Sequence, residues 1–526
     1  MFDLVIQGGT VVDGNKTDGF KADVGIVRDR IVKIGAIDAN VGRQVIDARG
    51  KAVAPGFVDV HTHADGWLLR EKNFFSKTSQ GFTTEVLLAD GISYAPVNRH
   101  TARDWMYYMR TLNGLRFEAY EGWGSIADYM VLLDRRTAQN TIPHVPYANV
   151  RSLACGFGRP TPDDVQMNHI LDEIHQGMDA GAVGLSTGLD YIVEFWATTD
   201  ELIEACSALR PYGGLYVTHI RYKKGVIGGL KEAVEIGKRA GVPVHISHLK
   251  GGVQGQTADN PDGKDLVMEY INNVAVNEVD FSFDVYPYMA SSTMLNSLFP
   301  PEVWRDGPLG VFGHLRRPEI ATRARTALKG INLDATHIAW LPSKQNSHYQ
   351  GQSLRAYCDA VGGDEIEALT NLLIEENLAV LLVFSLGDDR QIDAYLQHPN
   401  YMMGSDGIYQ PGGVVHPRHF GSGTRLIGRC VRDWKLFSLE EAVWKMTGAP
   451  AARFGLTERG QIREGYFADV VVFDPETVTD HATIENPQQL STGVEWVFVN
   501  GEVIVAEGRP VVFEGDAPGR ALRYGE

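Results

Sequence analysis

Apolar residues alternate with polar ones at both ends of the chain, and Gly or Asp-Gly turns separate the alternating runs. The first runs are FDLVIQGGTVVDG, ADVGIVRDRIVKIG and RQVIDARGKAVAPG, and the last are ADVVVFDP, WVFVNGEVIVAEG and RPVVFEG. A period of two is typical of strands with one buried face, and such turns are typical of hairpins. We therefore predict that residues 1–55 and 455–526 pair in one small β-sandwich, although they lie far apart in sequence.

The middle of the chain alternates apolar runs with amphipathic helical stretches such as DELIEACSALRPYG and LKEAVEIGKRAG. The eight apolar runs are AVAPGFVDVHTH, TTEVLLAD, ANVRSLACG, AVGLSTGLDY, LYVTHIR, VPVHISHLK, DFSFDVYPY and YMMGSDG. Repeated strand–helix units indicate a parallel sheet, and eight of them indicate a closed barrel. The predicted fold class is α/β, with a TIM (β/α)8 barrel over residues 56–454.

Residues 296–400 interrupt this alternation with helical stretches, PEIATRARTALKG and DEIEALTNLLIEEN, and one strand-like run, AVLLVFS. The interruption is too long for an ordinary connection between a strand and a helix. We predict an inserted subdomain over the barrel mouth at about residues 296–350.

Charge and cysteine content limit the cellular compartments and the classes of partner that suit this chain. The net charge of −17 argues against nucleic acid or an anionic membrane as partner, because both need basic patches. The four cysteines form no close pair, and neither a signal peptide nor a run of about 20 apolar residues occurs. We expect a soluble cytoplasmic protein that binds a small molecule and neither nucleic acid nor membrane. Whether it forms a homo-oligomer stays open.

Imidazoles and carboxylates stand at the ends of several predicted barrel strands. His61 and His63 end the first run and lie two residues apart, so both project from the same side of the strand end. Four further candidates end later runs: His219, His248, Asp90 and Asp406. Active sites of TIM barrels lie where the strands end, and these side chains are the ligands that Zn²⁺ prefers. The sequence therefore predicts a metal site formed by these six residues.

The ordered motifs PGFVDVHTH, GLSTGLDY, VTHIR, ISHLK, DVYPY, GSDG and HPR resemble those of the D-aminoacylases, the N-acyl-D-amino-acid deacylases of the amidohydrolase superfamily. The resemblance covers nearly the whole chain. It implies a distorted TIM barrel, a β-sandwich from both termini, and one or two zinc ions. It also implies that His219 and His248 hold the tighter zinc, and that His61, His63 and Asp406 surround the second metal position.

The chain departs from the pattern of that family at three places. Where the family has a cysteine that can bridge two metals, this chain has Asp90 in the motif LADGIS. A carboxylate is a harder ligand than a thiolate and can also bridge, so we predict that Asp90 binds metal and widens the choice towards Mn, Co or Fe. The alternative is that Asp90 caps a loop beside a single ion. Phe157 replaces a histidine in CGFG, and the loop after His219 has the basic sequence YKKG.

The predicted reaction is hydrolysis of an amide C–N bond by water whose pKa a divalent ion lowers to about 7. Asp406 is the predicted general base, which takes the proton from water and delivers it to the leaving nitrogen. The resemblance implies that a second set of residues surrounds the α-carboxylate of the substrate: Lys250, Tyr286, Ser292 and Arg418. Lys and a bidentate Arg suit a carboxylate ligand.

Three functions stay open at the level of sequence. The leading one is deacylation of an N-acyl-D-amino acid. The second is hydrolysis of another amide, such as a cyclic amide, a dipeptide with a D-residue or an N-acylated amine. The third is a non-catalytic scaffold with the amidohydrolase fold, which the metal content of the purified protein would reveal.

Overall fold

The structure, a computed structural model, describes residues 1–158, 161–250 and 263–526. The strands of these residues are β1 (Phe2–Val11), β2 (Phe20–Val27), β3 (Arg30–Gly35), β4 (Gly42–Asp47), β5 (Ala52–Pro55), β6 (Phe57–Asp59), β7 (Phe82–Leu87), β8 (Asn140–Pro143), β9 (Val145–Pro146), β10 (Gly184–Gly188), β11 (Leu215–His219), β12 (Val244–Ile246), β13 (Phe281–Val285), β14 (Ser291–Met294), β15 (Thr336–Trp340), β16 (Leu381–Phe384), β17 (Tyr401–Met403), β18 (Val470–Phe473), β19 (Val494–Val499), β20 (Glu502–Ala506) and β21 (Arg509–Pro510).

The α-helices of the same residues are α1 (Asp65–Leu68), α2 (Phe75–Thr78), α3 (Thr101–Met109), α4 (Ile126–Leu133), α5 (Tyr147–Cys155), α6 (Asp164–Asp179), α7 (Thr199–Ser207), α8 (Val226–Ala240), α9 (Gly263–Tyr270), α10 (Val276–Glu278), α11 (Gly307–Gly310), α12 (Phe312–Leu315), α13 (Pro318–Leu328), α14 (Leu354–Val361), α15 (Glu365–Glu375), α16 (Asp393–Gln397), α17 (Arg418–Arg425), α18 (Leu439–Met446) and α19 (Gly448–Arg453). In the part of the chain that the structure describes, none of the helices is long and apolar enough to cross a membrane.

Strands from the two chain ends form one sheet in the order β21-β20-β19-β18-β5-β1-β2-β3, with β4 beside β1. Strand β18 runs antiparallel to β5, so the C-terminal strands join the N-terminal ones directly. Alternate residues of these strands, among them Ile6, Val24 and Val470, are fully buried in a shared core. Burial of such a side chain contributes about 1.5–3 kcal/mol to stability. Because each chain end has one apolar face to bury, the period-two pattern predicted that the two ends pair.

The strands of the middle region run parallel in two sheets, one with the order β17-β13-β12-β11-β10-β9 and one with the order β6-β7-β8. The strands β8 and β9 are separated by His144 alone, so the two sheets meet at that point. A parallel bridge between Thr62 and Gly407 joins the outer strands β6 and β17. The α/β fold class is as predicted. The carboxyl ends of these strands meet at one edge, which is where the candidate ligands lie.

One predicted barrel strand is wrong. The run ANVRSLACG lies in α5 (Tyr147–Cys155), and the strand precedes it as β8 and β9. Pro143 and Pro146 lack the N–H group that a strand donates, so they divide the strand into two short pieces and leave no continuous apolar run in the sequence.

The interruption of the barrel contains a small antiparallel sheet with the order β14-β16-β15. The run AVLLVFS supplies β16, as its pattern predicted. Helices α11 to α15 lie between β14 and β16 in the chain, and α16 follows β16. The sheet begins at Ser291 and ends at Phe384, a wider span than residues 296–350. The boundaries of the inserted subdomain and of the two terminal segments stay predictions.

Candidate metal centre

The six predicted ligands lie where five parallel strands end. His219 is the last residue of β11, and the others follow β6, β7, β12 and β17 within a few residues. Asp90, His248 and Asp406 adopt positive φ angles of 56°, 36° and 49°. Few non-glycine residues adopt this left-handed conformation, although Asp and His tolerate it better than most, and it is concentrated at functional sites. The backbone therefore turns sharply at three strand ends that carry candidate ligands.

His61, His63 and Asp90 form a first group, whose ligand atoms all lie within 4.8 Å of one another. The Nε2 atom of His61 is 3.5 Å from Asp90 Oδ1, and the Nε2 atom of His63 is 3.8 Å from Asp90 Oδ2. Asp406 borders this group, because its Oδ1 lies 3.1 Å from His63 Nε2 and 3.8 Å from His61 Nε2. All four side chains are buried.

Asp90, His219 and His248 form a second group of the same size. The Nε2 atom of His248 is 3.7 Å from Asp90 Oδ2 and 2.9 Å from His219 Nδ1. Asp90 therefore lies between two pairs of imidazoles, which is the position of a bridging ligand. The structure brings all six predicted ligands together.

Unpaired polar atoms inside the first group show that these residues fit a cation. His61 Nε2 and Asp90 Oδ1 are buried and have no hydrogen-bond partner. Leaving such an atom unpaired costs about 1–3 kcal/mol, and a bound cation would remove this cost. Imidazole nitrogens and carboxylate oxygens suit zinc and other divalent first-row metals.

The charges in the site also favour the binding of a cation. Burial alone would raise the pKa of Asp90, but His61 and His248 hold that pKa well below its usual range. Burial would likewise raise the pKa of Asp406, but it lies below its ordinary value because Arg418 and the imidazoles outweigh burial. Both carboxyl groups are thus ionised, the form in which they bind a cation.

Two basic side chains and one aromatic ring lie beside the candidate metal ligands. Lys250 Nζ lies 3.6 Å and the guanidinium of Arg418 lies 4.4 Å from the ring centroid of Tyr286. Arg418 is fully buried, and its Nη1 forms an ion pair with Asp406 Oδ2 at 2.7 Å. That contact lacks hydrogen-bond alignment, since none of the three guanidinium nitrogens of Arg418 has a hydrogen-bond partner. The guanidinium is therefore available to an anion.

Lys250 reaches this place from a loop. Strand β12 ends at Ile246, four residues before Lys250. Lys250 Nζ donates hydrogen bonds to the carbonyl oxygens of Met289 and Ala290 at 3.3 and 2.8 Å. These bonds hold the ammonium group over the ring of Tyr286.

Ser292, the fourth residue predicted to surround the carboxylate, belongs to β14. Its hydroxyl donates to the carbonyl oxygen of Leu382 at 2.7 Å, within the small antiparallel sheet. The neighbouring Ser291 has its Oγ 3.3 Å from the hydroxyl of Tyr286. Successive residues of a strand face opposite sides, so a shift of one position decides which serine faces the site.

Three polar residues that the sequence pattern did not single out as ligands contact the outer ring nitrogens of the histidines. The pairs are Asp284 with His61, Asp190 with His219, and Tyr222 with His248, at 3.6, 3.6 and 3.5 Å. Partners of this kind fix the ring orientation of metal-binding histidines. A signal was present for Asp190, which stands near the end of a strand-like run as Asp90 does, whereas Asp284 stands in the middle of the run DFSFDVYPY.

The chain is similar to known proteins over nearly its whole length. A family model described as the amidohydrolase family matches residues 44–270 and 334–505. D-aminoacylase of Alcaligenes xylosoxydans xylosoxydans is 35% identical over 523 residues, which cover 99% of this chain and 97% of that protein.

Two solved structures extend this similarity to three dimensions. N-acyl-D-glutamate deacylase of Bordetella bronchiseptica, complexed with zinc and a phosphonate that mimics the tetrahedral intermediate, has a TM-score of 0.83 at 31% identity and covers 99% of both chains. A D-aminoacylase structure on the functional role of its binuclear metal centre has a TM-score of 0.81 at 32% identity, and the match covers 99% of this chain and 100% of that one.

Proposed function

Since this chain belongs to the amidohydrolase family, we propose that it hydrolyses the amide bond of an N-acyl-D-amino acid and releases a carboxylate and the free D-amino acid. Metal-dependent hydrolysis of a non-peptide C–N bond is the chemistry of its full-length relatives. The observation that carries the proposal is a buried guanidinium, that of Arg418, which forms an ion pair with Asp406 but has no hydrogen-bond partner and lies directly beside the cluster of candidate metal ligands. That arrangement suits a substrate whose amide bond is close to a carboxylate.

Each member of the cluster has a role in this proposal. His61, His63 and Asp406 would hold one cation, His219 and His248 would hold another, and Asp90 would serve both positions. Zinc is the metal that we propose, as one or two ions, and the carboxylate of Asp90 also admits other divalent metals. When bound, the metal polarises the substrate carbonyl and makes water a stronger nucleophile.

The protein residues supply binding and proton transfer. Arg418 and Lys250 hold the α-carboxylate of the substrate, and Tyr286 lies between their charges and the amide. Asp406 accepts the proton of the attacking water and delivers it to the nitrogen, which leaves poorly as an anion. Burial excludes bulk water and strengthens each of these electrostatic interactions.

A comparison of enantiomers tests the proposed reaction. Metal-loaded enzyme is assayed with N-acetyl-D- and N-acetyl-L-amino acids that have neutral or acidic side chains, and with cyclic amides. We expect higher kcat/KM for the D-enantiomers, loss of turnover after chelation, and its return when zinc is added. Turnover of cyclic amides alone would favour the second candidate function, and a chain that binds no metal would overturn the proposal.

We expect Arg418→Lys to raise KM for an N-acetyl-D-amino acid by about 10-fold or more. Lys keeps the charge beside Asp406 but cannot make the bidentate contact, and a hydrogen bond to a charged group contributes about 1.5–3 kcal/mol. The matched substrate is the carboxamide of the same amino acid, whose KM should change much less.

Arg425→Lys is the control variant for this measurement. Arg425 is a buried arginine of the same helix, α17, and pairs with Asp389 and Asp480 instead of the metal cluster. Its replacement should leave both KM values near those of the wild type. An equal rise of KM for acid and carboxamide in Arg418→Lys would contradict carboxylate binding by Arg418.

A further inference from the structure

The buried carboxylate of Asp284 lies beside one residue of each group of candidate metal ligands, His61 and His248. Asp284, near the end of β13, has its Oδ1 3.6 Å from His61 Nδ1. The same oxygen accepts a hydrogen bond from the backbone N–H of His248 at 2.9 Å. His248 has the left-handed backbone that begins its turn after β12. Asp284 therefore accepts a hydrogen bond from the backbone of one candidate ligand and lies beside the ring of another, whose Nδ1 is buried and has no hydrogen-bond partner.

A chain of hydrogen bonds fixes Asp284 itself. Its Oδ2 lies 3.0 Å from His245 Nε2, and His245 Nδ1 lies 2.8 Å from the hydroxyl of Ser282. The same hydroxyl oxygen accepts a hydrogen bond from Arg453 Nε at 2.7 Å. The carboxylate of Asp284 can only accept, so the proton of a neutral His245 ring lies on Nε2 and is donated to Asp284, and His245 Nδ1 then accepts the proton of the Ser282 hydroxyl. All of these bonds point in one direction, towards the carboxylate.

The packing around Asp284 leaves room for this contact and little more. A Cβ atom at Gly404 would lie 2.6 Å from Asp284 Oδ1 and 2.8 Å from His61 Cβ. Only glycine avoids both overlaps, so the approach of Asp284 to His61 depends on the absence of a side chain at this position.

We propose that Asp284, oriented by His245, is a positioning residue that sets the ring of His61 and the turn of His248 for metal binding. This inference rests on the proposed function, because it assigns the metal ligands a common support. An Nδ1–H of His61 that faces Asp284 leaves Nε2 as an electron-pair donor on the side of Asp90. Asp284 thereby prepares ligands in both groups at once.

The test is the affinity of the purified full chain for zinc, measured by competition with a chelator of known affinity. We expect Asp284→Asn to bind zinc about 10–100-fold more weakly than the wild type, the loss typical when such a partner of a ligand is removed. The asparagine keeps the shape of the side chain, but its amide can donate to His61 Nδ1 and favour the ring form whose Nε2 carries the proton.

Glu201→Gln is the matched control, because Glu201 is also a buried carboxylate and pairs with Arg151 outside the cluster. It should bind zinc as the wild type does. If Asp284→Asn does not fold, His245→Leu is measured instead, with an expected loss of the same direction. Unchanged zinc affinity in the folded variant, beside a wild type that binds zinc, overturns this inference alone. A wild type that binds no zinc overturns the proposed function.

Discussion

Asp406→Asn should lower kcat for an N-acyl-D-amino acid by about 10²–10⁴-fold while the protein stays folded. The carboxylate lies beside the imidazoles of His61 and His63, and its pKa is held below the ordinary value. It is therefore ionised at neutral pH and able to accept a proton. Asparagine has nearly the same shape but cannot take up the proton of water or return it to the leaving nitrogen. The measurement is kcat per bound metal ion, with metal content determined on the same sample.

Normalising to bound metal separates the two roles proposed for Asp406, because a lost ligand lowers metal content and a lost base does not. Asp480→Asn is the control for the loss of a buried aspartate–arginine pair. Asp480 is buried and pairs with Arg425 and Arg429 instead of the metal cluster. Its replacement should leave kcat near that of the wild type. Near-normal turnover per metal in Asp406→Asn would show that another group is the base.

The sequence singled out the six candidate ligands that the structure brings together because each carries a local signal. A strand pattern, its end and the residue type are all visible within a few positions, as at His61, His219 and Asp406. Parallel strands place their carboxyl ends at one edge, so the sum of these local signals also predicts where the side chains meet. The paired β-rich ends were predictable for a similar reason, since one-sided strands need a partner to bury their apolar face.

The features that the sequence did not reveal depend on packing between residues far apart in the chain. Asp284 and His245 form one arrangement with His61 only because β12 and β13 are neighbours, which the spacing of residues in the sequence does not reveal. The choice between Ser291 and Ser292 depends on the register of a short strand against β16, and a shift of one residue reverses it. The third strand of the middle region was missed because two prolines interrupt its pattern.

Asp90→Ala should remove most of the bound metal and reduce hydrolysis to near background. Asp90 contributes to both groups of ligands, with distances of 3.5–3.8 Å to His61, His63 and His248. Its loss therefore removes one proposed ligand from each metal position and leaves the histidines without the shared negative charge. The binding of both ions should weaken together. The measurement is the metal-to-protein ratio after dialysis against a weak chelator, followed by the rate with saturating substrate.

Asp90→Cys is the informative companion, because a thiolate can also bridge but is a softer ligand. We expect it to retain zinc and to bind manganese less well than the wild type does. Asp65→Asn is the control, since Asp65, the first residue of α1, is buried and accepts a hydrogen bond from the N–H of Leu88, two residues before Asp90, without belonging to either ligand group. It should keep its metal. Full metal content in Asp90→Ala would mean that Asp90 only shapes its loop, and the two imidazole pairs would then need another bridge.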